Sequence, residues 1–226
     1  MIITVETEFP IAFDSPDHLY PWGTMRDNHT NIGFIEEIER YFENQKISFM
    51  DLGCAGGQLV IDFLNRGHVA VGLEGSNYSV VNMRANWPEY HNKNLFTCDI
   101  SRPFRAYITP TNTYKDIGGN PVIGSLEKRE LKFNCITAWE VLEHIHPDRL
   151  DILFENIMNH LLPNGIFVGS VSKKTEIFGE YTLHQSLMLR EEWENIIKKY
   201  LDVFEYPFRN KVRDEPESFY ILLKKR

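Results

Sequence analysis

The chain has 226 residues, of which 42% are hydrophobic and 25% are charged, and its formal net charge is -8. These values are ordinary for one globular domain with a full-sized core. The negative charge disfavours nucleic acid as a general partner, because phosphate contacts need a basic surface. No apolar run approaches the roughly 18 residues of a membrane span, so no membrane partner is expected.

Cysteine usage bears on the cellular compartment. Cys54, Cys98 and Cys135 all lie in or beside apolar runs. An odd and sparse set of this kind predicts buried, reduced thiols and a cytoplasmic protein. The first residues carry an acid early and lack a basic segment, so no secretory signal is expected.

Short apolar runs alternate with segments of helical periodicity along most of the chain. They predict helices at 31–44, 59–64, 77–87, 150–161 and 189–200, and strands at 47–52, 69–73, 95–98, 133–138 and 166–171. Two terminal strands are predicted at 202–206 and 218–224. This alternation predicts an α/β fold with a mostly parallel seven-stranded sheet and helices on both faces.

The predicted domain covers residues 31–226, and residues 1–30 precede it as an N-terminal extension or a substrate lid. Within the domain, residues 101–130 contain Pro103, Pro110, Gly118-Gly119 and Pro121. These residues break regular structure. We therefore expect an irregular insertion at 101–130.

A glycine turn follows the strand predicted at 47–52. Asp51-Leu52-Gly53-Cys54-Ala55-Gly56-Gly57 joins this strand to a helix, a context in which glycines let a ligand approach the backbone. Glu74 ends the next strand, where a carboxylate can accept both hydroxyls of a ribose. Asp99 ends the third strand and is placed to receive an adenine amino group. Because ligands bind at the carboxyl ends of parallel strands, these residues predict a nucleotide-like cofactor.

A second cluster of polar residues follows the fourth strand of the alternating pattern. Glu140-Val141-Leu142-Glu143-His144 places two carboxylates and an imidazole at i, i+3 and i+4, which is one face of a helix. One helical turn of this composition can hold a divalent cation. The alternative is a capping or solvated role for each residue. His184 follows the fifth strand in a loop over the same sheet edge, and it is the candidate fourth ligand.

The strand-end motifs resemble those of class I S-adenosylmethionine-dependent methyltransferases, from about residue 30 to the end. The glycine turn resembles their first motif, with Ala55 where a glycine is commoner. Leu73-Glu74-Gly75-Ser76 resembles the second motif and Cys98-Asp99-Ile100 the third. A nicotinamide-binding Rossmann enzyme is the competing interpretation, but the glycines depart from the G-x-G-x-x-G spacing.

This resemblance implies a Rossmann-like methyltransferase fold with a C-terminal antiparallel hairpin. It also implies S-adenosylmethionine as cofactor and S-adenosylhomocysteine as product. Trp139 is expected to stack on cofactor or substrate, with a place in the core as the alternative. The implied cofactor-binding residues are Asp51, Gly53, Cys54, Ala55, Gly57, Glu74, Gly75, Ser76, Asp99, Ile100 and Trp139.

The Glu-x-x-Glu-His stretch resembles two groups of metal-dependent O-methyltransferases. One group methylates the 2′-hydroxyl at the 3′ end of small RNAs, and the other methylates catechols in ubiquinone synthesis. Mixed glutamate and histidine ligands suit Mg²⁺ or Mn²⁺ better than structural zinc. The metal-binding and catalytic residues that this resemblance implies are Glu140, Glu143, His144 and His184.

The acceptor is expected to be a sugar. The run from Trp22-Gly23-Thr24 through Trp139 to His184-Gln185 resembles methyltransferase domains that accompany glycosyltransferases. The expected reaction is therefore O-methylation of a sugar or glycan vicinal diol. The alternatives are an aromatic diol, an RNA 3′ end, or a catalytically idle methyltransferase-like binding protein. The sequence carries no signal for the oligomeric state.

Overall fold

The computed structural model describes residues 1–26, 30–206, 208 and 218–225. Two 3₁₀ turns, Leu142–His144 and Pro147–Arg149, accompany the following elements. The helices are α1 (Pro16–Leu19), α2 (Trp22–Arg26), α3 (Ile32–Tyr41), α4 (Gln58–Asn65), α5 (Tyr78–Val81), α6 (Trp87–Tyr90), α7 (Leu150–His160) and α8 (Arg190–Ile197). The strands are β1 (Ile2–Thr7), β2 (Ser48–Leu52), β3 (Val69–Glu74), β4 (Leu95–Thr97), β5 (Phe104–Thr109), β6 (Thr111–Lys115), β7 (Pro121–Ser125), β8 (Arg129–Glu130), β9 (Phe133–Trp139), β10 (Leu161–Ser172), β11 (Ile177–Phe178), β12 (Tyr181–Thr182), β13 (Asp202–Val203) and β14 (Ser218–Lys224).

The central sheet has seven strands in the order β13-β14-β10-β9-β2-β3-β4. Strands β10, β9, β2, β3 and β4 run parallel. Strand β14 is antiparallel to both β10 and β13. The predicted α/β fold, with its mostly parallel seven-stranded sheet and C-terminal antiparallel hairpin, is confirmed. The first hairpin strand is shorter than the predicted 202–206.

Apolar side chains are buried on both faces of this sheet. Phe49 of β2 stacks on Phe63 of α4 with ring centroids 3.8 Å apart, and α3 contributes to the same cluster. Met50, the next residue, belongs to a second cluster that includes residues of α7 and α8. Successive strand residues face opposite sides of a sheet, so the predicted cover of helices on both faces is confirmed.

The helix predicted at 77–87 is interrupted. The structure has the short helices α5 and α6 in its place, separated by a turn. Met83 has φ 48° and Ala85 has φ 49° in that turn. These values lie in the left-handed region, which a continuous right-handed helix does not contain.

The prediction of an irregular insertion at 101–130 is wrong, because this segment contains four strands. β5 pairs with β1 on one side and with β8 on the other, and β6 pairs with β7. Pro103 and Pro110 flank β5, and Gly118-Gly119 lies in the turn between β6 and β7. The breaking residues therefore mark strand ends and turns, as they do in β-hairpins.

The segment after β1 crosses the carboxyl ends of the parallel strands, and we call residues 8–26 the N-terminal strap. The Phe9 carbonyl accepts a hydrogen bond from the Asp99 amide at 2.9 Å, and the Ala12 amide donates to the Gly75 carbonyl at 3.0 Å. The strap thus lies over the ends of β3 and β4. Among the described residues, no helix combines the length and the apolar character needed to traverse a bilayer.

Candidate active site

A cavity of about 630 Å³ lies at the carboxyl ends of the parallel strands, beneath the strap. In sheets of this type, ligands bind at this edge. Strap residues including Asp17, Trp22 and Thr24 line one side of the cavity. The predicted cofactor and metal residues that line it are Gly53, Ala55, Glu74, Gly75, Ser76, Asp99, Ile100, Trp139, Glu140, His144 and His184.

Three predicted cofactor residues lie behind the cavity wall instead of in it. Asp51 is buried and accepts a hydrogen bond from Thr137 Oγ1 at 2.6 Å. Cys54 packs against the next strand, and burial together with the charges of Glu74 and Asp51 raises the pKa of its thiol. Gly57 has φ 81° and is the N-cap residue that precedes α4. These residues shape the turn, while Gly53 and Ala55 form the surface that faces the cavity.

Glu74 holds the glycine turn against the end of β3. Its Oε2 accepts a hydrogen bond from the Ala55 amide at 2.9 Å, and its Oε1 accepts one from the Ser76 amide at 3.0 Å. The Thr24 hydroxyl of the strap lies 3.5 Å from Oε1. Burial raises the pKa of this carboxyl, and the two amides oppose that shift. The predicted ribose acceptor therefore also fixes the backbone that faces the cavity.

Asp99 lies at the other end of the cavity, close to two arginines. Its Oδ1 accepts hydrogen bonds from the amide and the hydroxyl of Ser101, at 2.9 and 2.6 Å. Its Oδ2 is 3.9 Å from both Arg102 and Arg149. Arg149 also donates to Asp14 of the strap at 3.1 Å, and this hydrogen bond lowers the pKa of Asp14. Arg149 was not among the predicted site residues.

The prediction of a helical turn at 140–144 is wrong. Only Leu142–His144 form a 3₁₀ turn, and Glu140 has φ 55°, outside the right-handed helical region. The Glu140 amide donates to the Ser170 hydroxyl of β10 at 3.2 Å, which ties the residue after β9 to the neighbouring strand. Glu140 Oε2 accepts a hydrogen bond from Ser218 Oγ at 2.9 Å. The glutamate is thereby drawn away from the helical face that the spacing predicts.

The other three predicted ligands converge. One ligand atom each of Glu143, His144 and His184 lies within 4.8 Å of the others. Glu143 is fully buried, and its Oε1 accepts a hydrogen bond from the Ser172 amide at 2.7 Å. Its Oε2 has no hydrogen-bond partner among the described residues. Burial raises the pKa of Glu143 to about 7, against the opposing charge of His144.

Each histidine of this group is oriented through Nδ1. His144 Nδ1 is hydrogen-bonded to Asp17 Oδ2 at 2.9 Å, and His184 Nδ1 donates to the Lys174 carbonyl at 2.6 Å. Burial lowers the pKa of His144, but the charges of Asp17, Glu143 and Glu176 outweigh it and bring the pKa to about 9. Burial and the charge of His144 lower the pKa of His184. Such support of one ring nitrogen is typical of histidines that ligate a metal through the other.

Two carboxylates beside these histidines were missed by the sequence analysis. Asp17 lies 127 positions before His144 in the chain, and Glu176 Oε2 lies 3.0 Å from His184 Nε2. Local spacing carries no signal for the first contact, because Asp17 and His144 meet only in the folded chain. The second depends on the β11–β12 hairpin, whose two short strands the sequence analysis did not predict.

Comparison with known proteins bears on this geometry. Residues 27–200 match a family model described as a methyltransferase domain. No curated protein sequence gives a significant match.

Several solved structures share the fold. An S-adenosylmethionine-dependent methyltransferase from Clostridium acetobutylicum is 17% identical with a TM-score of 0.56, over 92% of this chain and 96% of its own. The magnesium protoporphyrin IX methyltransferase of Synechocystis, with bound SAH, is 12% identical with a TM-score of 0.55, over 93% and 96%. The glycopeptide N-methyltransferase MtfA, complexed with S-adenosyl-L-homocysteine, is 13% identical with a TM-score of 0.54, over 92% and 95%.

Proposed function

The chain belongs to the methyltransferase domain family and is an S-adenosylmethionine-dependent methyltransferase. From that premise, we propose that it methylates a hydroxyl of a sugar or glycan vicinal diol with the help of a divalent metal ion. The observation that carries the proposal is the buried Glu143 carboxylate, whose Oε2 has no hydrogen-bond partner among the described residues. A buried polar atom without a partner costs roughly 1–3 kcal/mol. A cation between Glu143, His144 and His184 would remove that cost.

The cofactor end of the cavity has the groups that an adenosyl moiety needs. Glu74 and Asp99 both line the cavity, and we expect Glu74 to accept the ribose hydroxyls and Asp99 the adenine amino group. Gly53 brings backbone close to the cavity, with φ 70° and Val141 filling the space where a Cβ would lie. S-adenosylmethionine supplies an activated methyl group on sulfur. The residues of the chain bind and orient it.

The acceptor end offers one carboxylate and two imidazoles as ligands. This set of oxygen and nitrogen donors is not that of a structural zinc site, which is rich in thiolates, and Mg²⁺ or Mn²⁺ is the ion that the sequence resemblance implies. A bound divalent ion can lower the pKa of a coordinated water from about 15.7 to as low as about 7, and an alcohol should respond similarly. Glu143, His144 and His184 would hold the ion, and Asp17 and the Lys174 carbonyl keep the two rings aligned. The remaining ligand predicted from the sequence is Glu140.

The charges around the cavity favour a neutral acceptor. Its lining includes six carboxylates but few cationic side chains, Arg149 and Lys174 among them. A phosphate-bearing acceptor such as an RNA end would meet like charges, which is unfavourable at short range. Trp22 lines the same cavity and offers an aromatic surface to a sugar ring. These features support a neutral diol.

A methyl-transfer screen tests the proposal. Monosaccharides, glycans, catechols and RNA 3′ ends are incubated with labelled S-adenosylmethionine, with and without EDTA, and Mg²⁺ or Mn²⁺ is then added back. We expect turnover on a sugar diol that EDTA abolishes and the metal restores. Turnover that EDTA does not affect would refute the metal dependence. Preference for catechol or RNA would support those alternatives, and S-adenosylhomocysteine binding without turnover on any acceptor would support an idle binding protein.

His184→Ala is the sharpest variant for the same assay. The His184 ring is expected to hold the ion, so the variant that lacks it should lose most metal-dependent turnover. Its S-adenosylmethionine affinity should stay near that of the unmodified chain. Full metal-dependent activity in this variant would mean that His184 is not a ligand.

A further inference from the structure

We propose that Glu176 supplies the fourth protein ligand of the metal site, the place that the sequence assigns to Glu140. This inference rests on the proposed function, because it concerns the same ion. It begins from the contact between Glu176 Oε2 and His184 Nε2, which are 3.0 Å apart. Both residues line the same cavity.

The orientation of His184 determines what this contact means. Its Nδ1 lies 2.6 Å from the Lys174 carbonyl, which can only accept, so Nδ1 carries a hydrogen. In the neutral ring, Nε2 then presents a lone pair to the carboxylate of Glu176. Two acceptors at this distance repel each other unless a proton or a cation lies between them. The close contact of Glu176 Oε2 and His184 Nε2 therefore requires a proton or a cation between the two atoms.

The distance fits shared ligation of a small divalent cation. Mg²⁺ has near-octahedral geometry with bonds of about 2.1 Å, so neighbouring ligand atoms are √2 times that length apart, about 3.0 Å. The observed separation of Oε2 and Nε2 is 3.0 Å. The spacing of this pair thus equals that of two adjacent ligands of such an ion.

The loop after β10 holds Glu176 beside His184. The Leu183 amide donates a hydrogen bond to the Glu176 carbonyl at 2.8 Å, which places the residue before β11 opposite the residue after β12. Glu176 lies outside the group of atoms within 4.8 Å. Its side chain is 41% exposed, so little packing resists the small shift that would bring it to an ion held by His184.

Glu140 is held in a different way. Its backbone has φ 55°, and Ser218 of β14 donates to its Oε2 at 2.9 Å. Moving this carboxylate to the histidines would break the Ser218 hydrogen bond, although its Oε1 is buried and has no hydrogen-bond partner among the described residues. The Glu176 carboxylate already lies 3.0 Å from His184. The competing explanation for Glu176 is an ion pair with a protonated His184, which requires no metal.

Manganese titration separates these explanations. Mn²⁺ is added to the full chain with S-adenosylhomocysteine, and free Mn²⁺ is followed by electron paramagnetic resonance. We expect Glu176→Gln to weaken Mn²⁺ binding at least tenfold. Even residues that only hydrogen-bond to metal ligands lower metal affinity about 10–100-fold when they are substituted. Glu140→Gln should stay within twofold of the unmodified chain. Glu180→Gln is the matched control, because Glu180 is an exposed acid of the same β11–β12 hairpin.

Each outcome is decisive. Mn²⁺ affinity unchanged in Glu176→Gln, or lost in Glu140→Gln alone, would overturn the assignment of Glu176 and leave the proposed metal dependence intact. No Mn²⁺ binding by the unmodified chain would refute the metal dependence and this inference with it. S-adenosylhomocysteine affinity, measured by calorimetry, reports whether each variant is folded. Glu176→Ala provides a second substitution at the same position, with the same expected loss.

Discussion

Glu74→Ala should weaken S-adenosylmethionine binding and also loosen the glycine turn. The carboxylate accepts hydrogen bonds from the Ala55 and Ser76 amides at 2.9 and 3.0 Å, and it is expected to accept the ribose hydroxyls as well. Loss of a charged acceptor costs roughly 1–3 kcal/mol. That cost corresponds to a dissociation constant raised about 5- to 150-fold.

The same substitution has a cost in stability. The Ala55 and Ser76 amides would lose a buried acceptor, at roughly 1–3 kcal/mol for each amide that water does not reach. Denaturant unfolding of the cofactor-free protein measures this term, and calorimetry with S-adenosylmethionine measures the affinity. Glu89→Ala, at an exposed acid of α6, is the control for both. Unchanged affinity in Glu74→Ala would refute the assignment of this strand end to the cofactor.

Three further predictions concern the strap, the core and the acceptor. Asp17→Ala should lower Mn²⁺ affinity about 10-fold or more by releasing the His144 ring. Asp14→Ala loosens the strap without touching that ring, so it should leave Mn²⁺ affinity unchanged. Equal effects of the two variants in the same titration would disprove the positioning role of Asp17. His160 is buried against Phe104, and burial lowers its pKa from 6.5 to about 4. Below pH 6.5 the unfolded chain protonates this histidine while the folded chain keeps it neutral, so acidification from pH 6.5 to pH 5 should lower the free energy of unfolding by about 2 kcal/mol. Urea unfolding of His160→Leu at both pH values should show a loss of stability that is smaller by this amount. An identical pH dependence of the two proteins would contradict the burial argument. If neighbouring hydroxyls share the metal, an acceptor lacking the non-methylated hydroxyl should lose most of its rate, and equal rates for diol and mono-alcohol would refute shared ligation.

The strands of the central parallel sheet could be predicted because their apolar residues form short continuous runs. The strands of the parallel sheet carry runs such as Val69–Glu74, and their ends bring the predicted cofactor motifs to one cavity. β6, in contrast, reads TNTYK and has one half-buried residue and four exposed ones. A strand without an apolar face leaves no periodic signal. The hairpin at 111–125 was therefore predicted as irregular.

The error at 140–144 has a different origin. The i, i+3, i+4 spacing of Glu140, Glu143 and His144 is compatible with a helix, but spacing says nothing about where the preceding strand ends. β9 continues to Trp139, and the Ser170 hydroxyl then holds the Glu140 amide. Long-range pairing overrides local spacing here. The contact of Asp17 with His144 has the same long-range character.

The strap also bears on the order of events during turnover. It is hydrogen-bonded to the backbone at Gly75 and Asp99, and it supplies the carboxylate that orients His144. If the nucleoside of the donor lies between the strand ends and the strap, parting these contacts for its release would also free the His144 imidazole at the acceptor end. While S-adenosylhomocysteine is exchanged for S-adenosylmethionine, the acceptor end would thus lack a correctly oriented His144. We therefore expect an ordered cycle, with donor loading first and acceptor second.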